Sequence, residues 1–328
     1  MTAPLTNPMV EVRNLKKYFK TKRGLLHAVD DVSFDIQRGE TLGLVGESGC
    51  GKSTLGRTLI RLLEPTAGSV KIDGQEMFKL SKTQLKEARR KAQIVFQDPY
   101  SCLNPRLSVS ALIAEPLIVN KVYKSSKEMN DRILELMDTV GLARRLVDTY
   151  PHELDGGRRQ RIGIARSLAL NPEFIVLDEP VSALDVCIQA QVLNLLKDLQ
   201  DSQKLTYVFI SHDLSVVKHL SDRIAVMYLG CMVELADHRA IFQRPLHPYT
   251  QALLSAIPVP KVGAARNRIL LEGDVPSPVN PPAGCRFAGR CRYRTEECTK
   301  ATPELREVQP GHFVACNRVE ELMAQGNL

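Results

Sequence analysis

The 328-residue sequence predicts an α/β fold with an antiparallel β subdomain, an inserted α-helical subdomain and a small cysteine-containing C-terminal extension. Three observations predict it. Short apolar runs at 41–45, 174–177 and 207–210 suit strands buried on both faces of a sheet. Between 105 and 170 β-branched runs are few, and helical spacing takes over, as in Met129, Ile133, Leu136, Met137 and Val140. Beyond 255, Pro276, Pro278, Pro281, Pro282 and Gly284 precede a crowd of cysteines.

Composition is ordinary for a globular protein, with 44% hydrophobic and 25% charged residues. The longest apolar stretch, 224–235, is interrupted by Gly230 and Glu234 and is too short to span a bilayer. Residues 1–12 hold no apolar core of a signal peptide, so a cytosolic protein is expected, one that can still sit against a membrane partner. The formal charge is +7, yet no Lys/Arg block is dense enough to favour nucleic acid.

Taken in order, 9–36 reads as antiparallel strands: Val10 and Val12 alternate with polar neighbours, as do Val32, Phe34 and Ile36. Between them lies Lys16-Lys17-Tyr18-Phe19-Lys20, whose aromatics either stack on a base or simply pack. The strand 41–45 then runs into Gly46-Glu47-Ser48-Gly49-Cys50-Gly51-Lys52-Ser53, which fits G-x-x-x-x-G-K-[ST]. A helical pattern follows through Leu55, Leu59, Leu62 and Leu63, stopped by Pro65. Strand, glycine-rich turn and helix in this order make a phosphate-binding loop. Glycines let backbone N–H groups close round phosphate oxygens, and the helix N-terminus adds its positive end. Lys52 is placed for the β- and γ-phosphates and Ser53 for Mg²⁺; Thr54 completes the loop's contacts. The chain is expected to bind ATP or GTP. Cys50 lies near a helix N-terminus, where a thiol pKa tends to fall, or else is an inert small residue.

Residues 69–74 read as a strand and turn, and 94–96 as a strand leading into Gln97-Asp98-Pro99. The helical insertion ends on 151–161, where Asp155 is placed as an N-cap and Gly156 and Gly157 allow close approach to the helix at 162–170. The strand 174–177 ends in Asp178 and Glu179, at the sheet edge where α/β folds bind ligands. Asp178 suits Mg²⁺ and Glu179 suits polarising an attacking water. A helix at 191–203, with Val192, Leu195, Leu196 and Leu199 on one face, leads to a last buried strand ending in His212, suited to a phosphate contact.

Together these residues resemble the ATP-binding subunits of ABC transporters, over about 9–255 and in the family's order and spacing. The resemblance implies roles. Gly46–Ser53 matches Walker A, 174–179 Walker B, Gln97 the Q-loop glutamine that joins Ser53 and Asp178 at Mg²⁺, Ser182–Asp185 the D-loop, and His212 the switch histidine. Phe19 matches the aromatic that stacks on the base, with Tyr18 as neighbouring option. Glu179, His212 and Lys52 become the catalytic set. The domain is then 1–255, with its helical subdomain at about 98–168, followed by an extension at 256–328.

Finer features narrow the likeness: Gln97–Arg106, Pro180–Val186, and His247-Pro248-Tyr249-Thr250 with the tail after it resemble the oligopeptide/dipeptide importers, most of all their F-type ATPase. This implies ATP hydrolysis that powers peptide import from the cytoplasmic membrane face. It also implies a head-to-tail dimer with a related ATPase, two membrane-spanning subunits and an external binding protein. A soluble ABC ATPase unconnected with transport is the alternative; such chains usually carry two ATPase domains or long coiled-coil insertions, absent here.

One departure stands out. The family's Leu-Ser-Gly-Gly-Gln signature, which acts on the partner's ATP, is here Leu154-Asp155-Gly156-Gly157-Arg158. A carboxylate near a γ-phosphate meets repulsion of about 4 kcal/mol at ~4 Å in an effective dielectric of 20. Arg158 and Arg159 stand at the spacing to offset it. The change is either disabling or compensated.

Of eight cysteines, Cys50, Cys102, Cys187 and Cys231 are scattered, whereas Cys285, Cys291, Cys298 and Cys316 crowd the tail. In a reducing compartment such a cluster suits a metal better than disulfides. Their spacing leaves zinc and an iron–sulfur cluster open, with Arg286, Arg290, Arg292 and Arg294 expected to offset thiolate charge. The resemblance implies a structural [4Fe–4S] cluster, with Zn²⁺ as the alternative.

Overall fold

The computed structural model describes residues 7–257, 268–326 and 328; the first residues of the chain and the start of the expected extension, 258–267, lie outside them. Two compact units interleave along the sequence. One takes residues up to 9, 36–40 and 72–208, the other 10–35, 41–71 and 209 onward.

The second unit begins with strands Val10–Thr21 and Gly24–Ile36, joined through Lys22 and Arg23, with Ala67–Ile72 beside the first. The alternation read from the sequence points Val10, Val12, Val32 and Phe34 inward, and all are buried. Thr41–Val45, buried throughout, runs parallel to Arg223–Tyr228 with Leu44 opposite Ala225. The long apolar stretch is a hairpin: Leu229 and Gly230 take positive φ and return the chain as antiparallel Cys231–Asp237. Among the described residues no helix is long and apolar enough to cross a membrane.

The tail is better anchored than its prolines suggest. His312–Val314 adds to Cys231–Asp237, pairing Val314 with Glu234, and Arg306–Gln309 adds to His312–Val314. Leu246, Val314 and Val319 form a small core with Val308, Cys316 and Met323 packed on it. Beneath it, the buried Glu234 carboxylate accepts from the Leu246 and His247 N–H groups and pairs with His312 Nε2 at 2.7 Å. A buried carboxylate is tolerable only when satisfied in this way. Earlier in the tail, Val279 bridges Leu26, and Asn280 bonds Leu25 and the Arg23 carbonyl.

In the first unit, Ala92–Val95 runs parallel to the fully buried Phe174–Asp178. Helices Pro99–Cys102, Val109–Val119, Ser126–Thr139 and Gly156–Leu168 lie between these strands in sequence, with Leu112, Ile113, Leu136, Met137, Ile162 and Leu168 buried. Some boundaries differ from the periodicity. The helix after the phosphate loop, Lys52–Leu59, ends before Leu62, because Arg61 takes a left-handed φ of 55° and leaves Leu62 43% exposed. The helix expected from 191 begins at Val186, because Asp185 caps it.

Candidate functional site

The phosphate loop is shaped by two glycines that nothing else can replace. Gly46 has φ 152°, and a Cβ there would lie 2.2 Å from the Met227 carbonyl oxygen. Gly51 has φ 105°, with a Cβ 1.9 Å from the Ala28 carbonyl oxygen. Backbone on the other side cannot yield, so these positions exclude a side chain. Gly51 also serves as the cap of Lys52–Leu59 without any side-chain bond, so no cap carboxylate or hydroxyl stands at that helix end. Lys52 is buried inside the loop, where Nζ donates to the Gly46 and Glu47 carbonyls at 2.8 and 3.0 Å and lies 3.7 Å from Cys50 Sγ.

One expectation changes here. Cys50 is 3% exposed, and burial pushes its thiol up despite Lys52 nearby, so the inert reading holds and the activated one does not. Glu47 is tied to the tail. Its N–H donates to Tyr249 Oη at 2.9 Å and its carboxylate takes Arg290 Nη1 at 2.9 Å.

Tyr18 and Phe19 keep different neighbours. Tyr18 stacks on His27 with centroids 4.0 Å apart, and its hydroxyl donates to Asp30. Asp30 further takes His27 Nδ1 at 2.8 Å and Arg286. These partners hold the Asp30 carboxyl below the usual range, against the upward push of its burial. Phe19 carries Lys17 Nζ over its ring at 4.7 Å. In the same unit His212 is exposed; its strand, Thr206–Ile210, ends before it, and the buried Ser211 and the helix-capping Asp213 hold the turn between.

The other unit brings Gln97 and Glu179 together, with Gln97 Nε2 donating to Glu179 Oε2 at 3.0 Å. Asp178 is fully buried at the end of its strand. Glu179 takes a left-handed φ of 48°, and its carbonyl accepts from Ser182 N–H and Oγ. A non-glycine residue held in that region marks a constrained position. Asp185 caps the next helix through the Ile188 N–H.

The signature is ordered by its departure from the family pattern. Leu154 is buried, and Asp155 caps Gly156–Leu168 by accepting from the Arg158 N–H at 2.8 Å. The Arg158 guanidinium pairs with the same carboxylate at 3.5 Å. Arg159 does not share in this: its Nε donates to the Pro151 carbonyl and its guanidinium lies 3.7 Å over the Tyr100 ring. The glycines also serve packing inside the chain, since a Cβ on Gly157 would lie 2.4 Å from Ile188 Cγ2.

The four tail cysteines, Cys285, Cys291, Cys298 and Cys316, line one pocket with His247, Phe287, Tyr293 and Arg318. Burial pushes the Cys285 thiol up to about 12 and raises Cys291 and Cys316. The donor set is that of a thiolate metal site, yet among the described residues no three His, Cys, Asp or Glu side chains are arranged to hold a metal. The arginines expected to offset thiolate charge are also largely committed elsewhere. Arg286 bonds Asp30 and the Leu229 carbonyl, Arg290 bonds Glu47, and Arg292 reaches Gln251. Sequence reasoning missed Arg290 and Tyr249 as neighbours of the phosphate loop. Nothing in their spacing could reveal a contact spanning so much sequence.

Residues 29–182 match the ABC transporter family, and 233–298 match the oligopeptide/dipeptide transporter C-terminal region. The chain is 54% identical to the putative oligopeptide transport ATP-binding protein YkfD of Bacillus subtilis, over 94% of this chain and 95% of that protein. It is 52% identical to the oligopeptide transport ATP-binding protein AppF of Bacillus subtilis, over 97% of this chain and 99% of that one. Among solved structures it is similar to the ATP-binding cassette MJ0796 in a dimeric post-hydrolysis state bound to ADP and Pi. There the TM-score is 0.65 at 33% identity, covering 70% of this chain and 99% of the other.

Proposed function

This chain belongs to the peptide-import ATP-binding proteins of the ABC transporters, and from that premise we propose that its hydrolysis of ATP to ADP and phosphate powers uptake of di- or oligopeptides, or a related small solute. The observation that carries the chemistry is the Gln97–Glu179 contact at 3.0 Å beside the buried Asp178. A carboxylate held by a neutral amide at the end of a buried strand keeps its aim, as a group that polarises an attacking water must. Lys52 supplies positive charge to the β- and γ-phosphates, and loop amides take phosphate oxygens. Phe19 stacks on the base, and His212 contacts the γ-phosphate. Ser53, Gln97 and Asp178 would hold Mg²⁺, which supplies charge neutralisation at the phosphates. Changing Glu179→Gln should keep ATP binding and lower turnover by about a hundredfold or more. Phosphate release at the wild-type rate, measured in the assembled transporter, would sink the assignment.

In this reading the chain sits at the cytoplasmic face of the membrane. It pairs head to tail with a paralogous ATPase, on two membrane-spanning subunits served by an external binding protein. The signature, Leu154 to Arg158, then acts on the partner's ATP. Co-purification with membrane subunits separates this from a soluble ABC ATPase. The nucleotide-binding domain is assigned to 1–255 and the importer-type extension to 256–328.

The four-cysteine pocket is read as a structural [4Fe–4S] site, with zinc as the alternative. Support comes from the four thiols on one pocket wall; the arrangement of the side chains does not itself form a metal site. Such a group would order the tail and take no part in hydrolysis. Anaerobically purified protein should be brown and lose its colour on Cys291→Ser. Colourless protein with stoichiometric zinc supports the alternative, and metal-free protein with an ordered tail defeats both.

A further inference from the structure

The phosphate loop is held by the tail as well as by its own strand and helix. Glu47 is the junction: its carbonyl accepts from Lys52 Nζ at 3.0 Å, its N–H donates to Tyr249 Oη at 2.9 Å, and both its carboxylate oxygens take Arg290 Nη1, at 3.1 and 2.9 Å. All three contacts meet on one residue of the loop. The side chain of Arg290 is only 11% exposed, and its Nε is buried with no partner among the described residues. Withdrawing a guanidinium from water is costly, so a surface arginine with nothing to hold would remain in solvent.

Arg290 is also firmly presented. The turn that carries it is anchored by Arg286, which donates to the Leu229 carbonyl and to Asp30. Phe287 packs against Tyr228, Tyr249 and His247, with ring centroids 5.3, 5.4 and 5.7 Å away. The loop meets the same segment from its other end, where the Gly230 N–H donates to the Cys50 carbonyl at 2.8 Å.

We propose that Arg290 is a positioning residue for ATP: through Glu47 it fixes the carbonyl that orients Lys52, so that the C-terminal extension sets the nucleotide affinity of this chain. The inference rests on the reading of 46–53 as the ATP site. It assigns Arg290 no contact with ATP. Loss of the guanidinium frees the Glu47 carboxylate and loosens the backbone that holds Lys52, which weakens binding of the triphosphate while the hydrolytic group, Glu179, is untouched.

The test uses the full chain and reads affinity for a fluorescent ATP analogue, melting temperature, and KM and kcat in the assembled transporter. Arg290→Ala should raise the dissociation constant and KM about five- to tenfold, with kcat changed less than about twofold, since uniform binding and turnover separate in this way. Arg290→Lys should recover most of the loss. Glu47→Gln, which keeps side-chain volume, should weaken binding as much, and the double variant no more than either single one. If Arg290→Ala fails to fold, the Glu47→Gln result decides. Affinity within about twofold of wild type in Arg290→Ala or Glu47→Gln, or additive losses in the double variant, overturns the proposal. Wild-type chain that binds no ATP defeats instead the reading on which it rests.

Discussion

The turn at 46–51 and the turn at 154–157 each deliver the chain into a helix, Lys52–Leu59 in one unit and Gly156–Leu168 in the other, yet they finish the helix end differently. At the first, Gly51 caps without a side chain and brings no charge of its own to the helix end. At the second, Asp155 brings a carboxylate to the helix end and takes the Arg158 N–H, with the Arg158 guanidinium 3.5 Å from the same group. A helix N-terminus attracts an anion through unpaired N–H groups and the macrodipole. The first turn keeps that attraction for a ligand, and the second spends much of it on its own carboxylate. Two glycine-rich turns of similar appearance therefore differ in the charge each places at its helix end.

The glycines offer the largest effect by which to break this comparison. Gly51→Ala drives a Cβ into the Ala28 carbonyl at a positive φ, and should cost more than about 3 kcal/mol and abolish nucleotide binding. Gly49→Ala, with φ 77° and nothing within 4 Å, should cost only about 1–2 kcal/mol. Gly157→Ala meets a movable side chain, Ile188, and should fall between them at about 1–3 kcal/mol. Thermal unfolding with and without Mg·ATP ranks the three. A Gly51→Ala protein that is stable and binds ATP would end the argument for the first turn.

A smaller effect sharpens the second turn. Because Arg158 pairs with Asp155, Arg158→Gln alone should lower the transporter's ATPase rate more than Asp155→Ser together with Arg158→Gln. Serine remains a good cap, so the helix itself should survive. A coupling of about 0.5–1.5 kcal/mol between the two positions is expected from residues in contact. Additive effects would show that the pair is not compensated.

The smallest effect concerns acid. Asp30 ties the hairpin that carries Phe19 to Arg286, and its carboxyl is held below the ordinary range by His27, Tyr18 and Arg286. A depressed carboxylate contributes stability that is fully present above the unfolded pKa, about 3.9, and is lost as pH falls through the lower folded value. Asp30→Asn should therefore lower the melting temperature at pH 7 and flatten the loss of stability as pH falls below about 4. An unchanged acid limb would remove Asp30 from that account.

Local features of the sequence settle much of this protein. The strand at 41–45, the loop and helix after it, and the carboxylates at the end of 174–177 are written in contiguous residues, because strand burial, turn conformation and capping depend on near neighbours. The same holds for Asp155 as a cap, whereas the Asp185 cap that starts its helix at Val186 is not read from the sequence. What tertiary structure alone decides are contacts between distant segments. Tyr249 and Arg290 on Glu47, Arg286 on Asp30, and His312 on Glu234 join residues that no spacing relates. Such contacts also reverse expectations drawn locally. Cys50 sits at a helix N-terminus, but burial raises its thiol; Arg159 has the right spacing to Asp155, but stacks on Tyr100. Local rules describe what a residue can do, whereas desolvation and competing partners, set only when the chain folds, determine which of those possibilities is used.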